Sequence, residues 1–223
     1  MLFSVLSPTG SKVAEAWIAA AQDARELYPK LPGIRFNYVI SAAQSGSELS
    51  SLHSNAEDRL ILKAIRQAAD LIVTSGETAR SEEIKASPSA PMLILTKSRK
   101  LRIPALMVKS ENPVFVTNEQ TDFENPAAKS VGFITTELDK YLQSVMKTHP
   151  CVALEVGLSL AKKLSRENCI DEVCLTVTNC PTQELAWLRL SVFLNDIEFN
   201  CKIVSCLNNQ STWLFRTRRE ENR

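Results

Sequence analysis

The chain has 223 residues, of which 44% are apolar and 23% charged, an ordinary balance for a globular protein that buries a full core. Its 26 basic and 25 acidic residues leave a net charge of +1, so no global field is present to hold nucleic acid or an anionic membrane, and an anionic ligand must be held locally. No apolar run approaches the roughly 20 residues that span a bilayer, and the N-terminus, MLFSVLSPTGSK, lacks the basic region and long apolar stretch of a signal peptide.

Residues 12–28, KVAEAWIAAAQDARELY, are Ala-rich and free of Gly and Pro. Val13, Trp17, Ala20, Ala21, Ala24 and Leu27 recur at helical spacing, which predicts a helix closed by Pro29, Pro32 and Gly33. Residues 1–33 are therefore expected to form a helical extension packed on the domain or on a partner subunit, with residues 34–223 as the domain itself.

Residues 34–41, IRFNYVIS, read as a strand, followed by the polar loop AAQSGSELSS. Ser54-Asn55-Ala56-Glu57 reads as a capping box that opens a helix with the apolar face Leu60, Ile61, Ala64, Ile65 and Ala68. Leu71–Thr74 is a short buried strand, and helical residues resume after Ser75-Gly76-Glu77-Thr78. Apolar runs at 91–96, 113–117 and 131–134 predict three more strands. A helix is expected over Glu137–Lys147, a strand over Cys151–Leu154, a helix over Leu158–Arg166 and a strand over Ile170–Thr178. Residues 189–194, 201–206 and 211–217 read as closing antiparallel strands. Short apolar runs alternating with helices predict an α/β fold with a mostly parallel sheet and helices on both faces.

Two strand-to-helix turns carry ligand-binding potential, Thr74-Ser75-Gly76-Glu77-Thr78 and Glu155-Val156-Gly157-Leu158-Ser159. Each sets small residues where a strand end meets a helix N-terminus, so free backbone N–H groups and the positive end of the helix dipole face outward. In open α/β sheets, ligands bind at such strand ends. Either turn also reads simply as a tight connection, and neither is a GxGxxG or P-loop motif. Thr96-Lys97-Ser98-Arg99-Lys100 follows a strand and combines hydroxyls with cations, which suits a phosphate monoester; it reads equally as a solvated basic loop. Glu155 is expected to shape its turn through backbone donors. The six cysteines form no CxxC pair and only His53 and His149 are present, so no metal site is expected. Free, reduced thiols fit a cytoplasmic protein.

The stretch Leu62–Arg80, with Arg66, Ala69, Asp70, Thr78 and Arg80, resembles the segment "LRA-x-ADAILVGAGTVRAD" of the pyrimidine reductases of riboflavin synthesis. Leu154–Leu160 followed by Ile170–Val173 is similar to that family's "VEGGPTL … LVDEL". Pro91–Leu95 followed by Leu101–Pro104 resembles its "P-RVVLD … LRLP", and Leu214-Phe215-Arg216 is typical of one branch. Order and separations agree over roughly residues 34–217. The resemblance implies a dihydrofolate-reductase-like fold that binds NADPH and reduces the ribose of a phosphorylated ribosylaminopyrimidine, a small-molecule substrate, in a homodimer. It places the cofactor's phosphates on Ser75, Gly76, Thr78, Glu155, Val156, Gly157 and Ser159. It places the 2′-phosphate near Thr96, Lys97, Ser98 and Arg99. Ser41, Gln44 and Ser45 are implied to contact the substrate, with Arg80 and Lys85 toward its phosphate; no catalytic residue is singled out. Two positions depart from the pattern. Val156 stands where the family keeps the first of two glycines, and is expected to strain the turn or obstruct the pyrophosphate. Ser41–Gly46 lacks the carboxylate of the family's Ser-x-Asp-Gly. A non-catalytic relative, or a pterin- or dihydrofolate-type reductase on the same fold, stays open beside the leading reading.

Overall fold

The β-branched and leucine-rich runs of this chain are too short for helices and are cut by Pro, Gly and polar turns, so they pair with one another. In the computed structural model, which describes residues 1–43, 53–82, 84–96, 112–117, 128–131 and 138–220, eleven strands form one sheet. They are β1 (Leu2–Leu6), β2 (Lys12–Trp17), β3 (Gly33–Ser41), β4 (Leu71–Ser75), β5 (Met92–Leu95), β6 (Val114–Thr117), β7 (Ala128–Val131), β8 (Cys151–Glu155), β9 (Glu172–Thr178), β10 (Cys201–Asn209) and β11 (Thr212–Arg219). Their order is β2-β1-β10-β11-β9-β3-β8-β4-β5-β6-β7. From β9 through β7 every pairing is parallel, and from β2 to β9 every pairing is antiparallel.

Five helices cover the faces: α1 (Ala56–Gln67), α2 (Gly76–Ser81), α3 (Leu138–Met146), α4 (Leu158–Arg166) and α5 (Gln183–Asp196). Because strand side chains alternate, β3 sends Ile34, Phe36 and Tyr38 to one face, where α3, α4 and α5 bury Leu142, Leu164 and Phe193 against them. The other face is covered by α1, α2 and a short 3-10 helix (Ala21–Ala24), through Ile61, Ile65, Ala79 and Ala24. With both faces covered, the parallel strands are apolar along their length. Next to the 3-10 helix, Glu172 accepts from Arg35 Nε and from Arg216 Nη2 (2.9 Å), while the Pro29 carbonyl accepts from Arg35 Nη2 and the Leu27 carbonyl from Arg216 Nη1 (both 3.0 Å). All three side chains are buried, so the ion pairs offset a desolvation cost that none of the groups meets alone. No described helix is long and apolar enough to cross a membrane.

Three expectations are corrected. Residues 12–28 are not a helix. Residues 1–17 form a β-hairpin that extends the sheet, with β1 pairing β10. The turn Ser7-Pro8-Thr9-Gly10 explains it: Gly10 takes φ +88°, donates to the Ser7 carbonyl at 2.9 Å, and abuts the Gln183 side chain, so a Cβ has no room there. Residues 189–194 are not a strand but lie inside α5. Thr182 caps that helix by accepting from the Leu185 N–H at 3.3 Å, and Ala186, Leu190 and Phe193 form its buried stripe. The N-cap of α1 is Asn55, accepting from the Asp58 N–H at 3.0 Å, while Ser54 donates its hydroxyl to the Asp58 carboxyl at 2.7 Å.

Candidate functional site

β3, β4 and β8 lie side by side in parallel, so their C-terminal ends open on one edge, and the N-termini of α1, α2 and α4 gather there. Between them lies a cavity of about 510 Å³. Its lining includes Asn37 and Val39 from β3, Asp58 and Leu62 from α1, Ser75 and Thr78 from the first turn, and Glu155 to Leu160 from the second.

The two turns are built differently. Ser75 caps α2 with its own hydroxyl, which accepts from the Thr78 N–H at 3.0 Å and meets the Thr78 hydroxyl at 2.8 Å. This turn therefore satisfies part of its own donor set. Gly76 is buried behind it, and a Cβ there would lie 2.7 Å from Thr96 Oγ1; the glycine serves packing of α2 against Thr96. The second turn is open. Gly157 is the N-cap of α4 and supplies no side-chain hydrogen bond, so the N–H groups of Leu158, Ser159 and Leu160 have no capping partner there. A Cβ on Gly157 would meet nothing within 4 Å. Free donors, the helix dipole and open space at the main chain together make an anion cradle.

Val156 does not strain this turn, because its φ lies outside the left-handed region. Its side chain, 2% exposed, joins the core on the α3–α5 face, and the cavity persists beside it. Glu155 is fixed from two sides. Arg66 of α1 donates to both carboxylate oxygens, and the Thr74 hydroxyl donates to the Glu155 carbonyl at 2.7 Å. The glutamate thus holds its turn through an arginine partner, where backbone donors were expected.

Of the residues singled out in the sequence, Ser75, Thr78, Glu155, Val156, Gly157 and Ser159 line the cavity, and Gly76 and Thr96 pack directly behind its first turn. Ser41 ends β3, with its hydroxyl toward the Ala43 N–H and the Asn179 amide, both at 3.4 Å; it is not among the lining residues. Arg80 sits exposed on α2, also off the lining. Gln44, Ser45, Lys97, Ser98 and Arg99 fall outside the described residues.

Two lining residues were missed. Asp58, 2% exposed, has an Oδ1 with no hydrogen-bond partner. Burial pushes its carboxyl above the usual aspartate range; the hydroxyls of Thr176 and Ser54 hold the rise back and Glu155 adds to it. Its sequence signal was its place three and seven residues before Ile61 and Ile65, on the stripe that faces the core. Asn37 lies on the β3 face opposite Phe36 and Tyr38, the same side as α1. Among the described residues no cluster of His, Cys, Asp and Glu suits a metal ion, and all six cysteines are free.

A family model described as the RibD C-terminal domain matches residues 39–179, well over half of the chain. No curated protein matches by sequence. Among solved structures, a pyrimidine reductase-like protein of Corynebacterium diphtheriae is similar at TM-score 0.61 and 15% identity, covering 89% of this chain and 95% of that one. A diaminohydroxyphosphoribosylaminopyrimidine deaminase/5-amino-6-(5-phosphoribosylamino)uracil reductase of Thermotoga maritima gives TM-score 0.62 at 13% identity over 89% of this chain; this chain spans 59% of that longer protein. A dihydrofolate reductase of Enterococcus faecalis, solved with NADP(H), gives TM-score 0.50 at 10% identity, covering 85% of this chain and 97% of that one. At these identities the likeness is one of fold, and the expected dihydrofolate-reductase-like architecture is the one found.

Proposed function

Since the chain belongs to the RibD C-terminal domain family, we propose that it is an NADPH-dependent reductase of the riboflavin-synthesis type, acting on a phosphorylated ribosylaminopyrimidine. The observation that carries this reading is the uncapped N-terminus of α4, opening through Gly157 onto the cavity at the strand ends. The residues present fit a dinucleotide: the cradle offers main-chain donors to its phosphates, with Ser159 beside them, and Gly157 leaves the approach clear. The Thermotoga protein is named as a reductase of this substrate type, and the Enterococcus protein of the same fold was solved with NADP(H).

When bound, NADPH supplies a hydride from its nicotinamide C4, which the opened ribosylamine accepts at C1. The chain's own part is placement. The main-chain N–H groups of Leu158, Ser159 and Leu160 hold phosphate, and the Arg66–Glu155 pair fixes the end of β8 relative to α1, so the two walls of the cavity keep their spacing. Ser75 and Thr78 form the facing wall, and Thr96 supports it from behind. By the family resemblance, Lys97, Ser98 and Arg99 are assigned to the 2′-phosphate, and Ser41, Gln44, Ser45 and Arg80 to the substrate. The protein works in the cytoplasm as a homodimer.

The test is consumption of NADPH, followed at its 340 nm absorbance, with 5-amino-6-(5-phosphoribosylamino)uracil as substrate and dihydrofolate as the competitor substrate. Turnover of the ribosylaminopyrimidine alone is the expected result. Turnover of dihydrofolate alone, or of neither with both ligands bound, overturns it.

A further inference from the structure

Tyr38 is a buried aromatic residue whose polar end the fold leaves unused. Its ring packs against Phe36 and Phe193, with centroids 5.7 and 5.6 Å away, and the residue is 9% exposed. It lines the cavity, and its hydroxyl makes no hydrogen bond to a described residue. A tyrosine hydroxyl on a buried ring usually finds a partner, and here the cavity is where one can stand. Strand pairing sets the position. β3 pairs β8 as far as Phe36–Leu154, then runs on beside β9 to Ser41. Extended by two residues, the β8 register puts Tyr38 level with Val156, next to the Gly157 cradle and on the same face of the sheet.

The proposed reaction needs a proton as well as a hydride. The opened ribosylamine is an imine. As C1 takes the hydride, the C=N electron pair moves to nitrogen, which must gain a proton. Ser41–Gly46 holds no carboxylate to give it. The charged groups of the wall are placed or engaged otherwise. Glu155 accepts from Arg66 with both oxygens. Asp58 and Arg59 on α1, and Glu77 and Glu82 on α2 and its C-cap, come from helices that cover the opposite face of the sheet. Burial pushes the Tyr38 phenol above the usual tyrosine range, and the Glu82 charge adds to it, so the phenol holds its proton at neutral pH.

We propose that Tyr38 is a catalytic residue, the acid whose Oη gives its proton to the ribosylamine nitrogen as hydride reaches C1. The imine is reduced and NADPH oxidised. The cofactor's C4–H bond, the C=N π bond and the phenol O–H bond are exchanged for C1–H and N–H bonds. NADP⁺ and a phenolate remain, and the phenolate takes a proton back from water. This rests on the reductase reading and extends it to a residue for which the motif resemblance gives no role.

The experiment compares the parent with Tyr38→Phe, which keeps both ring contacts and removes the hydroxyl alone. Turnover of 5-amino-6-(5-phosphoribosylamino)uracil is followed at the NADPH absorbance, and the ribityl product is titrated separately by calorimetry. Expected is a kcat lower by about 100-fold or more, with KM changed less than about tenfold. The gap is expected to narrow as pH falls from about 8 to about 6, because solvent acid then stands in for the phenol. Product, whose amine nitrogen accepts from the phenol, is expected to bind the variant about threefold or more weaker. NADPH affinity and melting temperature are expected to match the parent. An active parent whose kcat and product affinity survive the substitution overturns the proposal and leaves the reductase reading standing. So does a kcat loss that is the same at every pH, which marks a packing role. A parent that turns over no ribosylaminopyrimidine removes the reductase reading and the proposal with it.

Discussion

Arg66 and Glu155, 89 positions apart in the chain, meet as a two-bond pair in which Nε donates to Oε1 at 2.8 Å and Nη2 to Oε2 at 2.6 Å. The fork of a guanidinium matches a carboxylate in this geometry, and a lysine does not reproduce it. The pair joins α1 to the end of β8 at the cavity wall. Arg66→Ala leaves a largely buried carboxylate unpaired, and is expected to cost about 2–4 kcal/mol of stability. Urea unfolding measures it through the transition midpoint. Arg66→Lys is expected to recover only part of the loss.

The glycines of the two turns are expected to respond differently. Gly157→Ala adds a Cβ into open space on ordinary backbone; the gain from a stiffer unfolded chain is set against alanine's poor preference for an N-cap, so stability is expected to change by less than about 1 kcal/mol. The same methyl group narrows the approach to the α4 cradle, so NADPH affinity is expected to fall about tenfold. Gly76→Ala drives a Cβ to 2.8 Å from Thr96 Cβ, and is expected to cost about 1–3 kcal/mol by overpacking. Thermal melts and calorimetric titration of both variants separate the two effects.

Asp58 gives a pH signature. In the unfolded chain an aspartate titrates near about pH 3.9, and burial raises the folded value above that. Below the unfolded value both states carry the proton and the carboxyl costs nothing. As pH rises through the window between the two values, the unfolded chain releases its proton first, so stability is lost until the folded carboxyl ionises as well. Asp58→Asn is therefore expected to melt above the parent at neutral pH, with the gap closing toward about pH 4. Melting curves across that range check it.

The Arg35–Glu172–Arg216 cluster lies away from the cavity, next to the 3-10 helix. Glu172→Gln leaves two buried guanidinium groups without their anion. The expected loss is about 3–5 kcal/mol, read by urea unfolding, with cofactor affinity retained at a temperature where the variant is folded.

How far the sequence foretold the fold follows from where its signals are local. α4 begins and ends where Gly157 and the Arg166-Glu167-Asn168 turn place it, and β4, β5, β6 and β8 follow from apolar runs bounded by punctuation. The N-terminal hairpin was hidden by its alanines. Ala14 and Ala16 fit a helical count, yet Val13, Glu15 and Trp17 alternate with them as strand residues do, and the Pro8-Thr9-Gly10 turn outweighs helix propensity. In α5, Leu188 and Val192 are exposed and blur the apolar stripe, so a six-residue window read as strand. The α4 cradle was legible because a glycine between strand and helix is a sequence signal. The self-capping of α2 by Ser75 was not, since only the fold shows which hydroxyl takes which N–H. Asn37 and Asp58 acquire their setting from the docking of α1 on β3, a tertiary fact that neither segment carries alone.

On the proposed function, the open turn at Gly157 grips the phosphates of a dinucleotide. Isothermal calorimetry of the parent protein with NADPH reads this binding without an optical probe, and none of the three tryptophans lines the cavity to report it by fluorescence. Saturable binding at one site per chain is the expected result. No heat and no shift in melting temperature at millimolar NADPH would mean that this turn does not hold the cofactor.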